Sequence, residues 1–131
     1  MILADTSIWI DFLAAPGRVP NTRPDLDDLV TCGPVIQEVM QGFADSNLAP
    51  IFQKRLLAFP CLSNPIPVEL FLNAAALYRE GLRKGYTIRS GVDCLIAAIA
   101  IENDVPVWHR DRDFTTIAKY SRLKVYPRYV A

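Results

Sequence analysis

The sequence predicts an α/β fold, a three-layer arrangement with a parallel sheet of four or five strands flanked by helices. Three observations carry that prediction. Five short runs of strand character alternate with stretches of helical periodicity, and strands separated by helices return parallel. The run Cys94 to Ile101 is uncharged and apolar throughout, which marks a helix buried on every side. No repeat, low-complexity segment or linker divides the 131 residues. They read as one domain, 1–131, long enough to bury a core without disulfide or metal staples.

Ile2-Leu3-Ala4 reads as a buried strand, and Asp5-Thr6-Ser7 as the N-cap of a short helix over Ser7 to Leu13. Ala15-Pro16-Gly17 stops it, and residues 16–24, with three prolines, form the most loop-like stretch. Asp25 opens another short helix, with Asp27 and Asp28 near its N-terminus. Leu29 to Cys32 has strand character, and Gly33-Pro34 places a proline where a helix starts. Val35, Ile36, Val39, Met40 and Phe43 then repeat at helical spacing and leave Glu38 beside an apolar stripe. A helix over about 48–59 ends at Pro60, and Cys61-Leu62-Ser63 is a candidate strand. Val68 to Lys84 is a long amphipathic helix stopped by Gly85, and Ser90 to Asn103 is the apolar helix. Pro106-Val107-Trp108 is a strand, a short helix covers about 114–121, and Leu123 to Tyr126 closes as the last strand.

Composition excludes several classes. The chain is 51% hydrophobic and 21% charged, too apolar for a disordered segment. The longest apolar run is too short to span a bilayer, and the N-terminus lacks the basic start of a signal peptide. Cys32, Cys61 and Cys94 are odd in number and widely spaced, so they read as buried thiols in a reducing, cytoplasmic setting. Charge is uneven: residues 1–78 hold 4 basic and 8 acidic side chains, and residues 79–131 hold 10 and 6. An arginine-rich second half fits a polyanion partner or an ordinary salt-bridged surface.

The acids are the informative residues. Asp5 follows the first strand, Asp93 opens the apolar helix, and Asp111 and Asp113 follow the strand at 107–108. In a parallel α/β sheet these places border the crevice where ligands bind. Carboxylates gathered there repel one another and would take up protons unless a cation neutralised them. All-oxygen ligands favour Mg²⁺ or Mn²⁺, and such an ion accepts phosphate oxygens and activates water. The chemistry implied is metal-assisted phosphodiester hydrolysis.

Four motifs in order resemble a known family. They are Asp5-Thr6-Ser7; Glu38 after a proline-started helix; Ile88-Arg89-Ser90-x-x-Asp93-Cys94-Leu95-Ile96-Ala97-Ala98-x-Ala100; and His109-Arg110-Asp111-Arg112-Asp113-Phe114. Together they are similar to the PIN-domain ribonucleases, above all the VapC toxins of bacterial toxin–antitoxin pairs, over essentially the whole chain. The resemblance implies a PIN-like sheet and a catalytic, metal-binding quartet of Asp5, Glu38, Asp93 and Asp111, with Asp113 as a fifth acid. It also implies Mg²⁺ or Mn²⁺, an RNA substrate such as tRNA or rRNA, a homodimer, and a VapB-like antitoxin over the site.

Each residue has a competing account. Asp5 and Asp93 suit helix N-termini, and Asp113 could cap the helix near Phe114. Without the resemblance Glu38 is an ordinary helical glutamate. Thr6 and Ser7 either cap a helix or orient a ligand from behind. Arg89, Arg110 and Arg112 either contact RNA phosphate or pair with the acids beside them. The lone His109 reads as a satisfied strand-end residue, and Trp9 as core. Asp11, like Asp25, Asp45, Asp104, Glu69, Glu80 and Glu102, is assigned to the surface without chemistry. Phosphoryl transfer through an aspartyl-phosphate at Asp5 is disfavoured, because Ser7 stands where such sites commonly place a second aspartate. A non-catalytic module that binds protein or RNA is the alternative to the nuclease.

Overall fold

The computed structural model describes residues 1–19, 23–43 and 45–127. Its five strands are β1 (Ile2–Ala4), β2 (Leu29–Cys32), β3 (Cys61–Leu62), β4 (Val107–Trp108) and β5 (Val125–Tyr126). They form one parallel sheet in the order β3-β2-β1-β4-β5. Six helices accompany them: α1 (Thr6–Ala14), α2 (Gly33–Gln41), α3 (Ala49–Leu57), α4 (Val68–Arg83), α5 (Gly91–Glu102) and α6 (Arg112–Tyr120). The expected strands and the helices flanking them are present, with ends shifted by a residue or two.

The central strand explains the apolar start of the sequence. Leu3 lies opposite Val30 on one side and Val107 on the other, and Ala4 lies opposite Trp108. All three β1 residues are buried, because helices cover both faces and no alternating polar residue is needed. The chain begins in the middle, moves outward to β3, then crosses back to β4. That reversal sends the crossover helices before β3 and those after it to opposite faces. Accordingly α1, α2 and α3 pack in sequence, and α4, α5 and α6 pack among themselves. It also opens a crevice at the carboxyl ends of β1 and β4, the place where open α/β sheets bind ligands.

Helix α5 is the spine of the second layer. Cys94 and Ile96 through Ala100 are buried, each large aliphatic side chain contributing about 1.5–3 kcal/mol. Its alanines let α4 lie close along it. Helix α4 ends where Gly85 adopts a left-handed φ of 84°, with the Tyr86 N–H donating to the Gly81 carbonyl at 2.8 Å. Only glycine reaches that φ without strain. Tyr120 fastens α6 to α4 by donating its hydroxyl to the Leu77 carbonyl at 2.9 Å.

Some expectations change. The stretch read as loop contains a 3-10 turn at Pro16–Arg18, and residues 20–22 of it lie outside the described residues. Asp25 precedes a second 3-10 turn, Leu26–Asp28. Cys32 and Cys94 are buried, but Cys61 is only half-buried, since β3 lies at the sheet edge. Burial pushes the Cys32 thiol up to about 12 and the Cys94 thiol up to about 11, so both stay protonated. Among the described residues no helix is long and apolar enough to cross a membrane. Apolar side chains exposed at the surface include Val68, Phe71, Leu72, Tyr78 and Leu82 of α4 and Val92 of α5.

Candidate metal centre

The crevice holds the acids. A cleft of about 440 Å³ is lined by Asp5, Glu38, Asp93 and Asp111, with Thr6, Ser7 and three arginines around them. Four elements deliver these groups. Asp5 leaves β1, Glu38 projects from the middle of α2, Asp93 lies in the first turn of α5, and Asp111 leaves β4.

Burial without counter-charge defines two of them. Asp5 and Asp93 are each only 6% exposed. Desolvation pushes Asp5 up to about 7; repulsion from Glu38 and Asp111 adds to it, and the Thr6 N–H offsets part. Asp93 is pushed up to about 8, first by desolvation and then by the Asp113 carboxyl, with Asp5 and Asp111 adding repulsion. Asp93 Oδ2 is buried and accepts no hydrogen bond from a described residue. A buried acceptor left in this state costs about 1–3 kcal/mol or more when charged, unless a proton or cation reaches it.

The remaining site residues are held by hydrogen bonds. Thr6 Oγ1 donates to Glu38 Oε1 at 2.9 Å and fixes that carboxylate in the cleft. Ser7 is exposed at the rim. Asp5 occupies the N-cap position of α1 but makes no side-chain capping bond. Asp111 does cap: its Oδ1 accepts from the Asp113 N–H at 2.8 Å, so the capping expected of Asp113 belongs to Asp111, because α6 starts two residues earlier than expected. Asp113, 4% exposed, instead accepts from the Arg89 and Ser90 N–H groups at 3.3 and 3.2 Å. This ties α6 to the start of α5 and sets Asp93 near Asp111. Ligand atoms of Asp93, Asp111 and Asp113 all lie within 4.8 Å of one another. His109 Nδ1 accepts from the Asp111 N–H at 3.2 Å, and burial holds its pKa below the usual histidine range. It is neutral and orients the Asp111 backbone.

The arginines divide. Arg89 Nη2 reaches Asp111 Oδ1 at 3.2 Å and its Nε lies 3.6 Å from Asp113 Oδ1. Arg110 pairs with Asp11 and donates to the Arg18 carbonyl at 3.0 Å. Arg112 is exposed and makes no ion pair with a described residue. Arg89 thus pairs with acids of the cleft, whereas Arg110 pairs with Asp11, which is not one of them.

Asp11, expected at the surface, is in fact 8% exposed. The signal lies in its helix. Of the side chains in α1 after Ser7, Ile8 through Ala14, only Asp11 is polar, so any packing of α1 buries it. Trp9 is fully buried, with ring centroids 4.7 Å from Phe59 and 6.2 Å from Phe12, and cannot stack a base.

This donor set suits a hard divalent cation. The acids are oxygen ligands, two are buried with no positive partner among the described residues, and they line an open cleft. Comparison with known proteins agrees with the fold. The PIN-domain model matches residues 2–120. Ribonuclease VapC11 of Mycobacterium tuberculosis is 35% identical over 130 residues, covering 95% of this chain and 96% of that protein. A VapC ribonuclease of Mycobacterium bovis matches equally. The chain belongs to the PIN-domain family, on its VapC branch. Among solved structures, FitAcB from Neisseria gonorrhoeae has a TM-score of 0.69 at 20% identity, covering 96% of each chain. VapBC-5 from Mycobacterium tuberculosis, of the VapBC toxin–antitoxin family, has a TM-score of 0.68 at 19% identity, covering 94% of each chain. Those two likenesses show the fold.

Proposed function

We propose that this chain is a metal-dependent endoribonuclease, the toxin of a toxin–antitoxin pair, acting as a single domain, 1–131. The observation that carries the reading is the buried Asp93 carboxylate, with no donor to Oδ2 among the described residues and with Asp5 and Asp111 beside it in an open cleft. The ribonuclease names of the 35% identical relatives support it.

Asp5, Glu38, Asp93 and Asp111 would hold the ion, with Asp113 within reach of it. Bound Mg²⁺ or Mn²⁺ supplies neutralising charge, polarises a phosphoryl oxygen and lowers the pKa of water. The chain's own work is positional. Thr6 aims Glu38, the His109–Asp111 backbone bond and the Asp111 cap hold the loop after β4, and Asp113 anchors the start of α5. Ser7 supports the rim. Arg112, without an acid partner among the described residues, is the cation left for RNA phosphate, while Arg89 and Arg110 act first through their acids.

RNA such as tRNA or rRNA is the substrate, and a VapB-like antitoxin is the partner, in line with the VapBC complex that shares this fold. The exposed apolar side chains of α4 and α5, Phe71 and Val92 among them, suit a homodimer. The setting is the cytoplasm. Antitoxin-free protein mixed with total cellular RNA, with Mn²⁺ or Mg²⁺ and with chelator, tests this beside Asp93→Asn. Discrete fragments that need both metal and Asp93 are expected. Intact RNA in every lane, from folded protein that binds the cation, would leave the non-catalytic binding module.

A further inference from the structure

A second hollow adjoins the acid cleft. It has a volume of about 410 Å³, and its described walls are residues of the 109–119 segment. Arg110, Asp111 and Arg112 line both spaces, so a chain leaving the cleft on this side passes directly into the hollow.

Its floor is one face of α6. Arg112, Thr115, Thr116 and Lys119 recur at i, i+3, i+4 and i+7, which places them along one stripe about 10 Å long. Arg112 and Lys119 are exposed and the threonines half-buried. Among the described residues no acid pairs with either cation and no hydrogen bond involves either threonine hydroxyl. Lys119 Nζ instead lies 5.7 Å from the centroid of the Tyr86 ring, which stacks on Tyr120 at 5.9 Å. This leaves the ammonium positive at the hollow's edge. Arg89 and Arg110 are paired with acids, whereas Arg112, Lys119 and the two threonine hydroxyls meet no acid or hydrogen-bond partner among the described residues. Arginine, lysine and hydroxyl donors are the groups that hold phosphate and ribose without reading sequence.

We propose that Arg112, Thr115, Thr116 and Lys119 form a backbone track that grips the RNA strand beside the scissile phosphate. The track takes single-stranded RNA, two phosphates bridged by the two cations, with the hydroxyls bonding phosphate or ribose oxygens between them. It rests on the nuclease reading above and adds to it where the flanking strand runs.

The test uses the antitoxin-free chain in the Asp93→Asn background, so that RNA is bound and not cut. The probe is a fluorescein-labelled 20-nucleotide single-stranded RNA of mixed sequence, titrated across salt concentrations. Replacing Arg112 and Lys119 together with Ala is expected to weaken binding about 10–100-fold and to flatten the salt slope by about 1.4, which is about 0.7 for each single-strand phosphate that no longer meets a cation. Lys119→Arg should restore its share of the slope. Arg83→Ala, on α4 and paired with Glu80, should leave the slope at the parent value. No binding by the parent chain at low salt, an unchanged slope in the double variant, or an equal loss in Arg83→Ala would each overturn the track. Mn²⁺-dependent hydrolysis of bis(4-nitrophenyl) phosphate by the unsubstituted chain reads the acid cleft separately. If folded protein does not hydrolyse it, the nuclease reading fails and the track falls with it. Hydrolysis together with an unchanged double variant fails the track alone.

Discussion

Two carboxylates flanking the loop after β4 are buried to nearly the same degree, Asp93 at 6% and Asp11 at 8% exposure. Their surroundings are opposite. Asp11 meets the Arg110 guanidinium, which also grips the Arg18 carbonyl, so its charge is answered within the chain. Asp93 meets three other acids and leaves an oxygen without a donor among the described residues. Burial of charge is therefore not a functional signal in itself. A carboxylate with an internal counter-charge fastens structure, and one surrounded by its own kind must take up a proton or a cation.

The largest effect is expected at Asp93. Asp93→Asn is expected to lower RNA cleavage by about 10²–10³-fold, the scale of removing one essential charge-stabilising group. Thermal stability in chelator should rise, because folding near neutral pH must protonate the buried Asp93 and the amide needs no proton. Gel cleavage assays and thermal melts read the two effects; a parallel fall in both would mean that Asp93 is merely structural.

The pH dependence sharpens the same point. Asp5 and Asp93 go from a usual value of 3.8 to about 7 and about 8. Below about pH 4 both groups are protonated in folded and unfolded chains alike, and no penalty exists. As pH rises from about 4 to 8 the unfolded chain gives up these protons first. Metal-free stability should fall across that window, by a few kcal/mol at order of magnitude. Saturating Mn²⁺ should cancel the fall, and its binding near pH 7 should release protons, measurable by calorimetry in two buffers of different ionisation enthalpy. Stability that climbs with pH in chelator would contradict the arrangement.

At the other carboxylate, Asp11→Ala should cost about 1–3 kcal/mol by urea unfolding, below the figure for a fully buried pair because the Arg110 side chain is 37% exposed. Removing both partners, Asp11→Ala with Arg110→Ala, should recover part of that loss, since no unpaired buried charge remains. Losses that simply add would deny the pair its role. The smallest stability effect is expected at Thr6→Val. It loses one hydrogen bond to Glu38, about 0.5–1.5 kcal/mol, while metal affinity drops about 10–100-fold through a misaimed carboxylate. Unchanged Mn²⁺ affinity in that variant would leave Thr6 with no part in positioning.

Much of this molecule is legible in its sequence. β1 reads correctly because three consecutive apolar residues suit a strand covered on both faces, and α5 because most of its apolar run is buried. The PIN motifs mark the acids by their order alone. Other features depend on residues far apart in the chain. Glu38 is indistinguishable from a surface glutamate until α2 packs so that Thr6, 32 residues earlier, donates to it. Arg89 and Arg110 are close to acids in sequence, yet only folding determines that one pairs with Asp111 and Asp113 and the other with Asp11, 99 residues away.

The pattern of apolar residues, through periodicity, determined which segments became strands and helices and in what order. The order of acids determined the family. The tertiary structure alone decided which carboxylates lost water together, which met an arginine and which were left facing one another. Desolvation and Coulomb interaction depend on distance and surrounding dielectric. Neither quantity exists along a sequence until the sheet brings β1, α2, α5 and β4 to one edge.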